Sequence, residues 1–273
     1  MNSIAFFYTL GLTSIVTLQD SLSDVVILCL GLDETLEGEE GDTGNACASG
    51  DKIDILFPPS QQILIEKISE LNKKTVVVQF TGSAISLGDY NGNQNAIIQA
   101  FYPRAFGGKA VAELIFGEYS PCGRLPVTFY KDTKDLPEFT DYSMKNRTYK
   151  YYEGEVLYPF GFGLSYTEFE YSNAEFNNGK VSVKVKNTGK MKSREVVQLY
   201  IKTFEPEAPK YRLKGFKNIE LEPQEEKEVS FEITRDILEI TDENGNKVLP
   251  EGGFKAFVGH AQPNKDSKWL NVL

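Results

Sequence analysis

The apolar residues of this chain change their spacing once. In the first half they come as short unbroken runs, DVVILCLG (Asp24 to Gly31) and TVVVQFTG (Thr75 to Gly82). A continuous run rich in branched residues suits a strand covered on both faces, as in a parallel sheet, because no alternation marks a wet side. Between the runs, Leu64, Ile68 and Leu71 of QQILIEKISELNK recur at helical spacing, with Ser60 as the candidate N-cap. A further apolar run, AIIQAFYP (Ala96 to Pro103), leads into GGKAVAELIFG, whose Ala110, Leu114 and closing Gly117 predict another helix. This order of elements predicts an α/β layered unit with a largely parallel sheet.

From about Phe169 the spacing becomes two. VSVKVKN, EVVQLYIK, KNIELE, KEVSFEIT and GGFKAFVGH alternate apolar and polar residues, with Asn-Thr-Gly, Glu-Pro-Gln and Asn-Gly turns between them. Several short strands at that spacing predict an all-β sandwich of roughly 100 residues. Joining the halves is YKYYEGEVLYPFGFGLSYTEFEYS, too irregular for a helix and too apolar for a free linker. The expected organisation is an atypical N-terminal segment at 1–23, left by truncation, a partial α/β domain at 24–145, an aromatic strap at 146–168 and a β-sandwich at 169–273.

Composition excludes several function classes. With 41% apolar and 12% aromatic residues, 273 residues can bury two cores. The net charge is −10 and the 29 basic residues are scattered among 39 acidic ones, which argues against nucleic acid as a partner. Cys29, Cys47 and Cys122 are odd in number and far apart, so reduced thiols are expected. MNSIAFFYTLGLTSIVTLQD is apolar enough to resemble a signal peptide but lacks the basic start and the small-residue cleavage site. No run elsewhere approaches the ~18–20 apolar residues that cross a bilayer. A soluble, cytoplasmic protein with no membrane partner is the expectation.

The chemistry-bearing candidate is GLDETLEGEEGDTGN, the loop after the first buried run, which carries Asp33, Glu34, Glu37, Glu39, Glu40 and Asp42. Ligands of open parallel sheets bind beyond the carboxyl ends of the strands, where this loop lies. Three readings stand side by side. The loop is a solvated acidic stretch; or it holds a divalent cation, although the Asp/Asn alternation of calcium loops is absent; or like-charge crowding raises a carboxyl pKa toward the range of a general acid. No cofactor is called for.

Four stretches carry a family resemblance. VVILCLGLDETLEGEEGD, AFYPRAFGGKAVAELIFGEYSPCGRLPVTFY, YKYYEGEVLYPFGFGLSYTEFEY, and VKNTGKMKSREVVQLYIK with LKGFKNIELEPQEEKEVSFEI resemble the C-terminal half of family 3 glycoside hydrolases. The resemblance covers nearly everything after residue 23. It implies part of a three-layer α/β sandwich followed by a fibronectin type III-like β-sandwich. It also implies the chemistry of retaining exo-acting β-glucosidases and β-xylosidases on a β-linked oligosaccharide or glycoside. In that family an aspartate from a separate (β/α)8 barrel is the nucleophile and a glutamate of the sandwich domain is the acid/base. Matching the loop to the family pattern puts Glu37 in the acid/base role. Glu39 is the runner-up, because Glu-Gly-Glu-Glu lets the register slip by two. Asp42, followed here by Thr43 and Gly44 where many members have arginine, is left to orient the loop. A barrel takes about 250 residues and none is encoded here, so the chain alone is expected to be inactive.

Five other features are given no role in chemistry. His260, the single histidine, is expected as an exposed turn residue and Trp269 as a strand-end anchor. Gly161-Phe162-Gly163 lacks the third glycine and following helix of a nucleotide loop. The strap aromatics Tyr149, Tyr151, Tyr152, Tyr158, Phe160, Phe162 and Tyr166 are expected to hold domains together, and the basic residues from Lys210 to Lys217 to form a solvated strand edge.

Overall fold

The computed structural model describes the backbone of residues 4–8 and, with side chains, residues 23–34, 36–38, 52–71, 74–138, 140–206, 208–242 and 244–272. It divides into two compact units, Met1–Ala112 with Phe129–Leu136, and Glu113–Thr128 with Pro137–Leu273.

In the first unit a parallel sheet has the order β1-β2-β3-β4, formed by β1 (Ile4–Tyr8), β2 (Val25–Gly31), β3 (Lys74–Phe80) and β4 (Ala96–Gln99). The opening segment thus contributes a strand, with Ile4 to Tyr8 in register with Val25 to Cys29. Val26, Ile27, Leu28 and Leu30 of β2 are almost fully buried, so successive side chains are covered on both faces, as an unbroken apolar run requires. At the end of the sheet order, β4 is only partly covered.

Helix α1 (Pro59–Glu70) sets Leu64, Ile65 and Ile68 against this sheet in one core with Val26, Leu28, Leu30 and Val77. Each such side chain contributes about 1.5–3 kcal/mol by leaving water. Its start corrects the expected cap. Pro58 occupies the cap position without a side-chain bond, Pro59 stands at the first helical position, and Ser60 lies inside the helix. Proline's fixed φ and missing N–H suit the first turn, so no hydroxyl cap is needed. Gln61 turns inward instead, and its amide clamps the end of β2 by donating to the Gly31 carbonyl at 2.6 Å and accepting from the Gly31 amide at 3.1 Å. The second expected helix is α2 (Gly107–Ile115), followed by the short β5 (Phe129–Tyr130).

In the second unit, α3 (Thr148–Tyr151) and β6 (Val156–Tyr158) belong to the strap. Two antiparallel sheets follow. One holds β7 (Phe169–Asn177), β8 (Lys180–Asn187) and β11 (Glu226–Glu232) in the order β11-β8-β7; the other holds β9 (Ser193–Lys202), β10 (Arg212–Leu221), β14 (Phe254–Gly259) and β15 (Leu270–Val272) in the order β10-β9-β14-β15. The one-turn α4 (Arg235–Leu238) and the hairpin of β12 (Ile240–Thr241) and β13 (Lys247–Val248) complete it. Parallel pairing is therefore a property of the first unit's sheet and not of the whole chain. The β7–β8 hairpin turns on Asn178 and Gly179, at φ +48° and +72°, the left-handed pair that Asn-Gly favours in a two-residue turn.

Alternate residues of facing strands make the sandwich core: Val181, Val183 and Val185 from β8, Val197, Leu199 and Ile201 from β9. The opposite face of β9 is buried too, with Gln198 and Tyr200 as inaccessible as the core. The strap covers it. Tyr149 stacks on Phe160 at 4.2 Å between ring centroids and meets Tyr200 edge-on at 6.3 Å, while Gln198 donates to the carbonyls of Gly161 and His260. Beside them lies a buried ion pair, Arg124 to Glu195 at 2.5 Å, with the Tyr171 hydroxyl donating to the second Glu195 oxygen at 2.6 Å.

Candidate functional site

Strand β2 ends at Gly31, where an added Cβ would lie 2.9 Å from the Phe80 carbonyl oxygen, so only glycine lets the strands run this close. The amide of Leu32 bonds that same oxygen, and the amides of Leu36 and Glu37 both reach back to the Asp33 carbonyl. This turn folds the loop over the carboxyl end of the sheet and delivers the Glu37 side chain to the residues that follow β3 and β4.

There the carboxylate meets four donors. One oxygen, Oε2, accepts from the Gly82 amide at 2.8 Å and from the Tyr102 hydroxyl; the other, Oε1, accepts from the Ser83 amide at 2.9 Å and has the Lys52 ammonium 3.6 Å away. Lys52 also donates to the Ser83 hydroxyl at 2.5 Å. Behind this layer, Thr81 donates to the Ser83 carbonyl, and the Gln99 amide donates to the carbonyl and hydroxyl of Thr81. The ends of β2, β3 and β4 are thereby tied through Glu37.

The electrostatics correct one expectation. Partial burial pushes the Glu37 carboxyl up, but the hydrogen bonds from Ser83, Tyr102 and Gly82, together with the Lys52 charge, outweigh it and hold the group below its ordinary value near 4.5. Each oxygen faces donors, and those donors set the direction. Burial raises the Tyr102 phenol, helped by its bond to Glu37, and lowers the Lys52 ammonium against the opposing pull of Glu37 and Asp54. In this arrangement Glu37 is a carboxylate, able to accept a proton and anchored for a fixed direction of approach.

Glu39 and Asp42, the other loop residues given a role, lie outside the described residues, as do Glu40 and Cys47. Among the described residues Cys29 and Cys122 are free thiols, and no group of three or more His, Cys, Asp or Glu is placed to hold a metal ion. No helix among them is long and apolar enough to cross a membrane. His260 is exposed just past β14, and Trp269 packs near Tyr211 and Phe257, at 6.2 and 5.8 Å between centroids. The basic stretch is less solvated than expected. Lys210 donates to the Tyr152 carbonyl, and Arg212 to that of Glu239 at 2.8 Å, so these two tie down neighbouring chain while Lys217 stays exposed.

Sequence reasoning singled out Glu37 and did not name the residues that surround it, Lys52, Gly82, Ser83 and Tyr102. The signal was available for three of them. Gly82 and Tyr102 stand at the ends of two apolar runs, and Ser83 directly after the first of them, and a parallel sheet must end both runs on the same side as the acidic loop.

Comparison with known proteins accords with this architecture. A model described as the glycosyl hydrolase family 3 C-terminal domain matches residues 15–166, more than half of the 273, and one described as a fibronectin type III-like domain matches 195–262. A xylan 1,4-β-xylosidase of Xylanibacter ruminicola is 36% identical over 256 residues, which is 90% of this chain and 30% of that protein. A β-glucosidase of Bacteroides ovatus is 34% identical over 264 residues, covering 86% of this chain and 34% of that protein. Among solved structures, a β-glucosidase of Erythrobacter marinus superposes with a TM-score of 0.80 at 32% identity, covering 93% of this chain and 35% of the other. The chain thus spans about a third of the length of the relatives it matches.

Proposed function

From the premise that this chain belongs to glycoside hydrolase family 3, we propose that it is the C-terminal portion of a retaining, exo-acting β-glycosidase and that Glu37 is its acid/base. The observation carrying this reading is that Glu37 is held at the carboxyl ends of β2, β3 and β4, with both oxygens on fixed donors. The nucleophile comes from a (β/α)8 barrel on further chain, as the family resemblance implies. In the first step an aspartate of that barrel attacks the anomeric carbon while Glu37 protonates the departing oxygen. In the second, the Glu37 carboxylate takes a proton from water, which attacks the glycosyl-enzyme and frees the aspartate. The two carboxyl groups then stand about 5–5.5 Å apart. Between the two substrate classes, the Glu-Gly-Glu-Glu loop and the β-xylosidase relative favour xylosides over glucosides.

One observation favours a second reading, a carbohydrate-binding or structural module without catalysis: a carboxylate with four donors is also a good loop anchor. A single experiment separates the two. The chain is joined to a nucleophile-bearing family barrel, and hydrolysis of aryl β-xylosides and β-glucosides is followed with and without Glu37→Gln. The enzymatic reading expects no turnover from the chain alone and a loss of about 10²–10⁴-fold on poor leaving groups in the joined variant. An unchanged rate in that variant leaves only the anchor.

A further inference from the structure

We propose that Tyr102 is a positioning residue for Glu37, and that Gly82 is glycine so that phenol and carboxylate can converge. Its functional meaning rests on the acid/base reading of Glu37, but its geometry stands apart from it. Three observations carry it. First, the Tyr102 hydroxyl donates to Glu37 Oε2, the oxygen that also takes the Gly82 amide. Second, the residue that aims Tyr102, Phe101, holds φ at +54°, a left-handed conformation that a bulky non-glycine residue keeps only where its surroundings impose it. Third, a Cβ on Gly82 would lie 2.9 Å from the Tyr102 ring and 3.2 Å from Glu37 Oε2, so a side chain there would push one of the two away.

The four donors are not equivalent. The amides of Gly82 and Ser83 are main-chain groups braced by Thr81 and Gln99, and no substitution other than proline removes them. Tyr102, 49% exposed, is the neutral side-chain donor and Lys52 the charged one. The other ionised groups acting here are Asp33, which acts on Tyr102, and Asp54, which acts on Lys52. With both oxygens occupied, Glu37 is set for the half-reaction in which it removes a proton from water. To donate a proton it must give up one partner, and the Tyr102 hydroxyl can rotate away at the least cost to the fold. The phenol thus aims Glu37 and also sets how readily it takes a proton.

The test uses the 273-residue chain with carboxyl-labelled glutamate, assigning the Glu37 signal by its loss in Glu37→Gln and following its titration by NMR. Tyr102→Phe keeps the ring and deletes the donor. The Glu37 midpoint should rise by about half a unit to one unit, the equivalent of one neutral hydrogen bond. Gly82→Ala should raise it too, and the double variant should add little to either single one, because both act through the same contact. An unmoved midpoint in Tyr102→Phe, with the thermal melt unchanged, overturns the proposal. Additive shifts in the double variant overturn the role given to Gly82. Neither result depends on hydrolysis, so the acid/base reading fails separately, through Glu37→Gln in the barrel-joined enzyme.

Discussion

Arg124→Met tests the second unit at a buried ion pair. The Glu195 side chain is 0% exposed and that of Arg124 only 8%, with the two 2.5 Å apart and Tyr171 donating to the remaining oxygen. Methionine fills much of the arginine's volume but leaves a buried carboxylate with one neutral donor. Breaking a buried pair from one side costs about 3–5 kcal/mol, because the desolvation of the surviving charge is no longer offset. At about 2–4 °C per kcal/mol for a unit of this size, the melting point should fall by about 6–20 °C. The probe is built in: the single tryptophan, Trp269, lies among sandwich aromatics, so its fluorescence in a urea titration follows this unit and not the first. Replacing the whole cluster, with Arg124→Met, Glu195→Leu and Tyr171→Phe together, should regain most of the loss, since an apolar set has no charge to desolvate. A single-variant loss under about 1 kcal/mol, the scale of an exposed pair, would refute the reasoning. A triple variant no better than the single one would do the same.

Two further expectations concern the strap and the site. Gly161 sits at φ +79°, where a Cβ would lie 3.0 Å from the Tyr200 hydroxyl and collide with the Gln198 amide. Gly161→Ala should therefore cost more than the ~1–2 kcal/mol of the left-handed backbone alone, and a change within about 0.5 kcal/mol in the Trp269 transition would count against the packing described. For Glu37, a folded pKa below the unfolded one means stability that is present above about pH 4.5 and is lost as pH falls through the depressed value. Urea midpoints of the parent and of Glu37→Gln should differ at pH 7 and converge in acid. A gap that widens on acidification would show that the sign is wrong.

Local features were legible to the degree that a few neighbouring residues decide them. The unbroken run of Val25–Gly31 was legible as a strand covered on both faces, because its branched residues show no wet side. Ser60 was misread because hydroxyl caps and proline starts compete for the same position, and the Pro58-Pro59 pair won. Gln198 and Tyr200 gave no sign of burial, since alternation in β9 describes one face of a strand and says nothing of a strap laid over the other. At the site, the acidic residues after a buried strand marked only the loop, and the family resemblance singled out Glu37 within it. Its partners Gly82, Ser83 and Tyr102 lie 45, 46 and 65 residues further along.

What the sequence alone determined is the pair of architectures and the loop in which to look for an acid, because apolar spacing, turn residues and long family motifs are properties of contiguous chain. Only the tertiary structure decided the state of that acid. Its ionisation depends on which donors reach its oxygens, and parallel strands bring their ends together only after the chain between them has crossed over. Six acidic residues in a row of ten suggested a raised pKa; two amides, a phenol and an ammonium gathered from distant segments lowered it.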